Sequence, residues 1–159
     1  MPKETVIESF TLDHDKVIAP YVRTIDQSVG PKGDVISNFD VRLTQPNEEF
    51  IDTDAMHTLE HLFAKYLRPQ LEGYIDCSPY GCRTGFHLFV WGELSATEAA
   101  QAVKHALEQI VDTTIDQVPG LARKECGNYR DHNLEKAIAW AKRVLGQGVS
   151  DNAFERHLV

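Results

Sequence analysis

Nowhere do the 159 residues hold an uninterrupted apolar run of about 18, so the sequence offers no bilayer-spanning helix. The opening MPKETVIESF lacks the apolar stretch of a secretion signal, and a cytoplasmic protein is expected. Positive charge is in short supply. The 16 Lys and Arg face 24 Asp and Glu, and the formal net charge of -8 argues against nucleic acid or an anionic membrane as main partner. Cysteine is scarce and odd in number (Cys77, Cys82 and Cys126), which argues against a disulfide framework and for thiol or metal chemistry in a reducing compartment. The sequence also lacks internal repeats, low-complexity tracts, interdomain linkers and a dinucleotide-binding glycine fingerprint. One domain spanning residues 1–159, without nicotinamide or flavin, is expected.

What is present centres on residues 51–68, IDTDAMHTLEHLFAKYLR. Ala55, Met56, Leu59, Leu62, Phe63, Tyr66 and Leu67 recur at i, i+3, i+4 spacing, which predicts an amphipathic helix. Asp52, Thr53 and Asp54 are N-cap candidates and Pro69 is the stop. His57 and His61 are four apart, so their imidazoles lie one above the other and can reach one ion. Glu60 sits beside the second histidine, close enough to move a proton without binding the ion.

The rest of the chain predicts an α+β fold in which an antiparallel sheet packs on helices. Residues 1–23 read as an extended entry segment and 24–34 as a turn-rich loop with Gly30, Pro31 and Gly33. From Val35 to Thr44 the pattern alternates: Phe39, Val41 and Leu43 on one side, Asn38, Asp40, Arg42 and Thr44 on the other. Strands at Tyr74–Ser78 and Phe86–Trp91 flank the turn SPYGCRTG and suggest a hairpin. SATE at Ser95–Glu98 matches a capping box, opening a helix to about Thr113. Asp131 is a candidate cap for a last helix, about Asn133 to Leu145, ended by Gly146. The tail to Val159 is expected to be loosely held.

Cys126 lies in the polar stretch KECGNYRDH. With His57 and His61 it makes one thiolate and two imidazoles, a catalytic metal arrangement that leaves a fourth position for water or substrate. His132 is the alternative: as a fourth ligand it would close the site into a structural one. The donor set suits Zn²⁺, Fe²⁺ or Co²⁺ rather than Mg²⁺ or Ca²⁺. Cys82, in a Gly-flanked turn beside Arg83, has a neighbouring cation that favours the reactive thiolate; its bland reading is a small residue at a turn. Cys77 falls in a strand and reads as a buried inert thiol. Asp76 and Arg42 are polar on apolar strands and face either solvent or a substrate.

Six segments in one order, ESFTLDH, VIAPYVR, FDVRLTQPN, HTLEH, SPYGCRTG and ECG, resemble the S-ribosylhomocysteine lyase (LuxS) family, from about Ile7 to about Leu145. The resemblance implies a small homodimer with two active sites at the subunit interface. It implies one divalent metal per subunit, Fe²⁺ and replaceable by Zn²⁺ or Co²⁺, on His57, His61 and Cys126. The implied reaction converts S-ribosyl-L-homocysteine into L-homocysteine and 4,5-dihydroxy-2,3-pentanedione, the precursor of the quorum-sensing signal autoinducer-2. It assigns Cys82 and Glu60 as proton carriers, and Ser9, His14, Arg42, Asp76 and the backbone at Cys77 and Gly127 as substrate contacts. Tyr80, where the family usually has Met, and His87, where an aromatic hydroxyl is common, depart from the pattern and bear on pocket shape. Two rivals remain. HTLEH also fits the inverted H-x-x-E-H metallopeptidase pattern, with Glu125 as an acidic ligand. A metal-stabilised binding module closed by His132 is the non-enzyme reading.

Overall fold

Four antiparallel strands, β1 (Tyr21–Val29), β2 (Val35–Arg42), β3 (Tyr74–Pro79) and β4 (Gly85–Trp91), lie in the order β1-β2-β4-β3, in a computed structural model that describes residues 4–159. Three helices follow their predicted places: α1 (Thr53–Leu67), α2 (Ala96–Val111) and α3 (Leu134–Gln147). The architecture is α+β, as expected.

The inward face of the sheet, with Val22, Phe39, Val41, Phe86, Leu88 and Val90, is buried against Leu59, Leu62 and Phe63 of α1 and Val103, Leu107 and Ile110 of α2. Phe63 meets Phe86 edge-on at 5.0 Å, a contact that contributes about 0.5–1.5 kcal/mol beyond its buried area. Register positions the turn chemistry. Arg42 pairs with Gly85 across β2 and β4, and a Cβ on Gly85 would lie 2.2 Å from the Val41 carbonyl oxygen, so only glycine fits there. The β3–β4 hairpin thereby delivers Cys82 beside the end of β2. The capping box forms as patterned: Ser95 Oγ accepts from the Glu98 amide and the Glu98 carboxylate accepts from the Ser95 amide.

Four expectations are corrected, and one reading left open, the side that Arg42 faces, is decided. The span read as an extended entry and then a turn-rich loop contains β1; between Arg23 and Ser28 only Ile25 is apolar, so no alternation announces it. The strand side with Asp40, Arg42 and Thr44 is buried, and Arg42 is 3% exposed, because the three groups have partners there. Asn133, not Asp131, caps α3, its side chain accepting from the Lys136 amide. The helix passes through Gly146 to Gln147 and ends at Gly148, whose φ of 87° is left-handed. The tail is docked: Ser150 is buried between Tyr21 and Leu158, and Arg156 donates to the carbonyls of Pro20 at 2.7 Å and Gln147 at 3.1 Å.

Candidate metal centre

Helix α1 turns Leu59, Leu62 and Phe63 inward, which leaves His57, Glu60 and His61 half-buried on its flank. The long connection between α2 and α3 crosses this flank and is tied to it at both ends. Lys65 Nζ donates to the Gln117 carbonyl, and the Asn133 amide donates to Thr58 Oγ1 at 2.9 Å. The ties also orient the histidines. His61 Nδ1 faces the Pro119 carbonyl at 2.8 Å and His57 Nδ1 faces the Asp131 carbonyl at 2.9 Å. A carbonyl can only accept, so each Nδ1 carries the proton and each Nε2 presents a lone pair. This is the outer-shell arrangement that fixes metal-binding imidazoles.

Cys126, on the same connection, brings its sulfur to 3.4 Å from His57 Nε2. The ligand atoms of His57, His61, Cys126 and His132 all lie within 4.8 Å of one another, so the cluster can hold a metal ion. Bond lengths of about 2.0 Å to nitrogen and 2.3 Å to sulfur at a tetrahedral angle put such atoms roughly 3.3–3.6 Å apart. The residues therefore fit a borderline divalent cation in donor type and tautomer, and the Cys126–His57 separation matches that spacing. His132 stacks on His57, with centroids 3.8 Å apart and planes 25° from parallel. Burial first, then the facing His57 and His61, pushes its imidazole down to about 4.

The other site residues gather elsewhere. Cys82 is exposed, with Thr84 Oγ1 at 3.1 Å from its sulfur and Arg42 Nη1 at 3.9 Å. Arg83, expected beside this thiol, instead lies over the Phe50 ring at 4.6 Å; its φ of 61° turns it away. Arg42 Nη1 also donates to Thr84 Oγ1 at 2.8 Å, and Nη2 donates to the wholly buried Asp40 Oδ2 at 3.1 Å. The same oxygen accepts from Tyr21 Oη and Arg23 Nε, both at 3.0 Å. Arg23 in turn binds Glu8, next to Ser9, at 2.8 Å. His14 Nδ1 faces the Leu12 carbonyl at 2.8 Å. The Arg42 guanidinium covers the Tyr80 ring at 4.8 Å, and Tyr80 in turn tilts against His87. Burial pushes Tyr80 up and His87 down. Asp40, Thr84 and Arg23 were not singled out in the sequence. The two-residue spacing of Asp40 and Arg42 on one strand face was the available signal.

Cys77 is buried, and burial, then the Asp76 and Glu60 carboxylates, pushes its thiol up, consistent with an inert role. Asp76 is exposed and accepts from Ser78 Oγ. Gly127 lines a polar cavity of about 370 Å³ with Arg123, Cys126 and Arg130. A second cavity, of about 560 Å³, is lined by His61, Lys65 and Arg68. Glu125, the acidic ligand a peptidase reading needs, is absent from the cluster and accepts from the Ala122 amide instead.

A family model described as S-Ribosylhomocysteinase (LuxS) matches residues 7–155. The chain belongs to the LuxS family. Similar proteins named S-ribosylhomocysteine lyase include those of Streptococcus uberis, 59% identical, Streptococcus agalactiae, 58%, and Streptococcus gordonii, 57%; each alignment covers 100% of both chains. In this LuxS-family chain no hydrogen bond or ion pair among the described residues joins the Cys82–Arg42 group to the His57–His61–Cys126 group. No helix among the described residues is long and apolar enough to cross a membrane.

Proposed function

We propose that this chain cleaves the thioether of S-ribosyl-L-homocysteine, giving L-homocysteine and 4,5-dihydroxy-2,3-pentanedione, the autoinducer-2 precursor. The observation that carries the reading is the convergence of His57 Nε2, His61 Nε2 and Cys126 Sγ, in a chain aligned end to end with proteins named for that lyase. These three residues would hold one divalent metal, Fe²⁺ in the cell and Zn²⁺ or Co²⁺ as substitutes. When bound, such a cation supplies Lewis-acid polarisation of a sugar carbonyl and charge stabilisation for the enediolate. Protons are moved by Cys82 Sγ and the Glu60 carboxylate. Each carbonyl shift, from C1 to C2 and from C2 to C3, removes a proton from one carbon and returns one to its neighbour. With the carbonyl at C3, the C4 proton is acidic and its removal expels homocysteine thiolate from C5.

Ser9, His14 and Arg42 are assigned to the sugar and homocysteine oxygens. Asp76, with the backbone at Cys77 and Gly127, is assigned to the amino-acid end. That no hydrogen bond or ion pair among the described residues joins the Cys82 and His57 groups supports a homodimer whose two sites each draw on both subunits. So does the sheet face opposite the helices, where Trp91 is 52% exposed, and the entry segment, where Phe10 is 80% exposed. The net charge of -8 supports a small-molecule partner rather than nucleic acid or membrane. The protein then works in the cytoplasm, where three free thiols persist.

The test is release of free thiol from S-ribosylhomocysteine by anaerobically purified protein. Cys82→Ala should abolish release while metal content stays near one per chain. Turnover that survives in Cys82→Ala would overturn the assignment. The absence of any turnover, with four protein ligands on the metal, would favour the closed binding module instead.

A further inference from the structure

The sulfur of Cys82 is closer to a hydroxyl than to a cation. Thr84 Oγ1 lies 3.1 Å from Cys82 Sγ, whereas Arg42 Nη1 lies at 3.9 Å. Nη1 is nearer the hydroxyl, at 2.8 Å, than the sulfur. The guanidinium has little freedom to move closer. Its Nη2 donates to the buried Asp40 Oδ2 at 3.1 Å, and its face covers the Tyr80 ring.

These partners fix the direction of the Thr84–Cys82 bond. A guanidinium only donates, so Thr84 Oγ1 accepts from Arg42. Cys82 Sγ is the other partner of that hydroxyl among the described residues. A thiolate has no proton to give, so once Cys82 has lost its proton the hydroxyl is the donor. The bond is then charge-assisted, and Arg42 polarises the hydroxyl that makes it. Thr84 is 5% exposed, which leaves water little access to the hydroxyl proton.

The backbone keeps the hydroxyl in place. The Thr84 carbonyl accepts from the Leu43 and Thr44 amides at 2.9 and 3.1 Å, and the Arg83 carbonyl accepts from the Ile51 amide at 2.9 Å. Within the turn, the Tyr80 amide donates to the Gly85 carbonyl at 2.9 Å and the Arg83 amide to the Tyr80 carbonyl at 3.0 Å. The loop that carries Cys82 is closed on itself and stitched to the residues after β2 and before α1.

We infer that Thr84 is a positioning residue, whose hydroxyl relays the pull of Arg42 to Cys82 Sγ and holds the thiolate against the end of β2. The inference rests on the proposed role of Cys82 as a proton carrier in the lyase reaction. The other charged or titratable groups nearby, Asp40 and Tyr80, touch Arg42 rather than the sulfur, and Arg83 lies over Phe50.

The test follows alkylation of Cys82 by iodoacetamide in the full-length, zinc-loaded protein, read on the Cys82 peptide by mass spectrometry. Thr84→Val keeps the branched shape without the hydroxyl. Near neutral pH it should slow alkylation roughly tenfold, the scale of one hydrogen bond to a charged group. At alkaline pH, where the sulfur is ionised in both proteins, the two rates should meet. Thr84→Ala should repeat the loss, and Thr84→Ser should return the neutral-pH rate toward wild type. In turnover, Thr84→Val should lower kcat with KM little changed, because the hydroxyl touches the proton carrier and not the substrate. An unchanged neutral-pH rate in Thr84→Val, an equal slowing at every pH, or no recovery in Thr84→Ser would overturn the inference. Alkylation needs no substrate, so its outcome is separate from that of the lyase reading: thiol release that survives Cys82→Ala would sink the proton-carrier role on which the inference rests.

Discussion

Removing the Asp40 carboxylate should be among the most damaging single changes to this fold, although the residue touches no reacting atom. Asp40 is wholly buried, and one of its oxygens accepts from Tyr21, Arg23 and Arg42. The Arg42 side chain is 4% exposed and that of Arg23 is 14% exposed. Asp40→Asn keeps the shape but leaves these two guanidiniums facing each other without their shared counter-charge. Glu8 still serves Arg23, whereas Arg42 keeps only Thr84 and the Cys82 sulfur. Breaking a buried pair by removing one partner costs about 3–5 kcal/mol. For a chain of this size about 2–4 °C of Tm follows each kcal/mol, so the melting point should fall by roughly 6–20 °C. Urea unfolding at fixed chain concentration should give the free energy with an unchanged m value. Adding Arg42→Met should recover part of the loss, because the uncompensated charge is gone. A cost below about 1 kcal/mol for Asp40→Asn would refute the reasoning, since an unpaired buried guanidinium cannot be that cheap.

Gly120→Ala should weaken metal binding without removing a ligand: φ there is 72°, and a Cβ would lie 2.9 Å from the His61 ring. A loss of about 10–100-fold in a chelator competition is expected, in line with other disturbances of ligand orientation. Arg156→Ala should free the tail, costing about 1–3 kcal/mol and raising amide exchange across residues 149–159, because the guanidinium ties four carbonyls. Burial holds His87 below its ordinary 6.5 in the folded chain. Just below that pH the unfolded chain binds a proton that the folded chain does not, so stability falls as pH drops through this window. His87→Gln should flatten that part of the stability–pH curve, read by urea midpoints.

What the sequence made legible, and what it did not, follows from where the information sits. Helix α1 and its histidine pair were readable because a 3.6-residue apolar rhythm puts His57 and His61 on one flank whatever surrounds them. Strand β2 was readable because apolar and polar side chains alternate along it, although both faces are buried from Phe39 to Arg42, and β4 because FHLFVW is a short apolar run closed by Gly92. Strand β1 was not, since Thr24, Asp26, Gln27 and Ser28 are polar on both faces at a sheet edge. The groups that orient the ligands are the carbonyls of Pro119 and Asp131, and backbone acceptors leave no mark in side-chain identity. Arg83 was the neighbour of Cys82 in sequence, but pairing of β2 with β4 makes Arg42 its neighbour in space. Asp131 and Asn133 are equally good caps on paper. Asn133 is chosen because its amide and side chain also tie α3 to Asp54 of α1.

X-ray absorption of the zinc-loaded chain, before and after addition of S-ribosylhomocysteine, tests the centre most directly. Two imidazoles and one sulfur, with a further light atom that exchanges when the substrate arrives, is the predicted first coordination sphere. Three imidazoles and one sulfur, unchanged by the substrate, would contradict it.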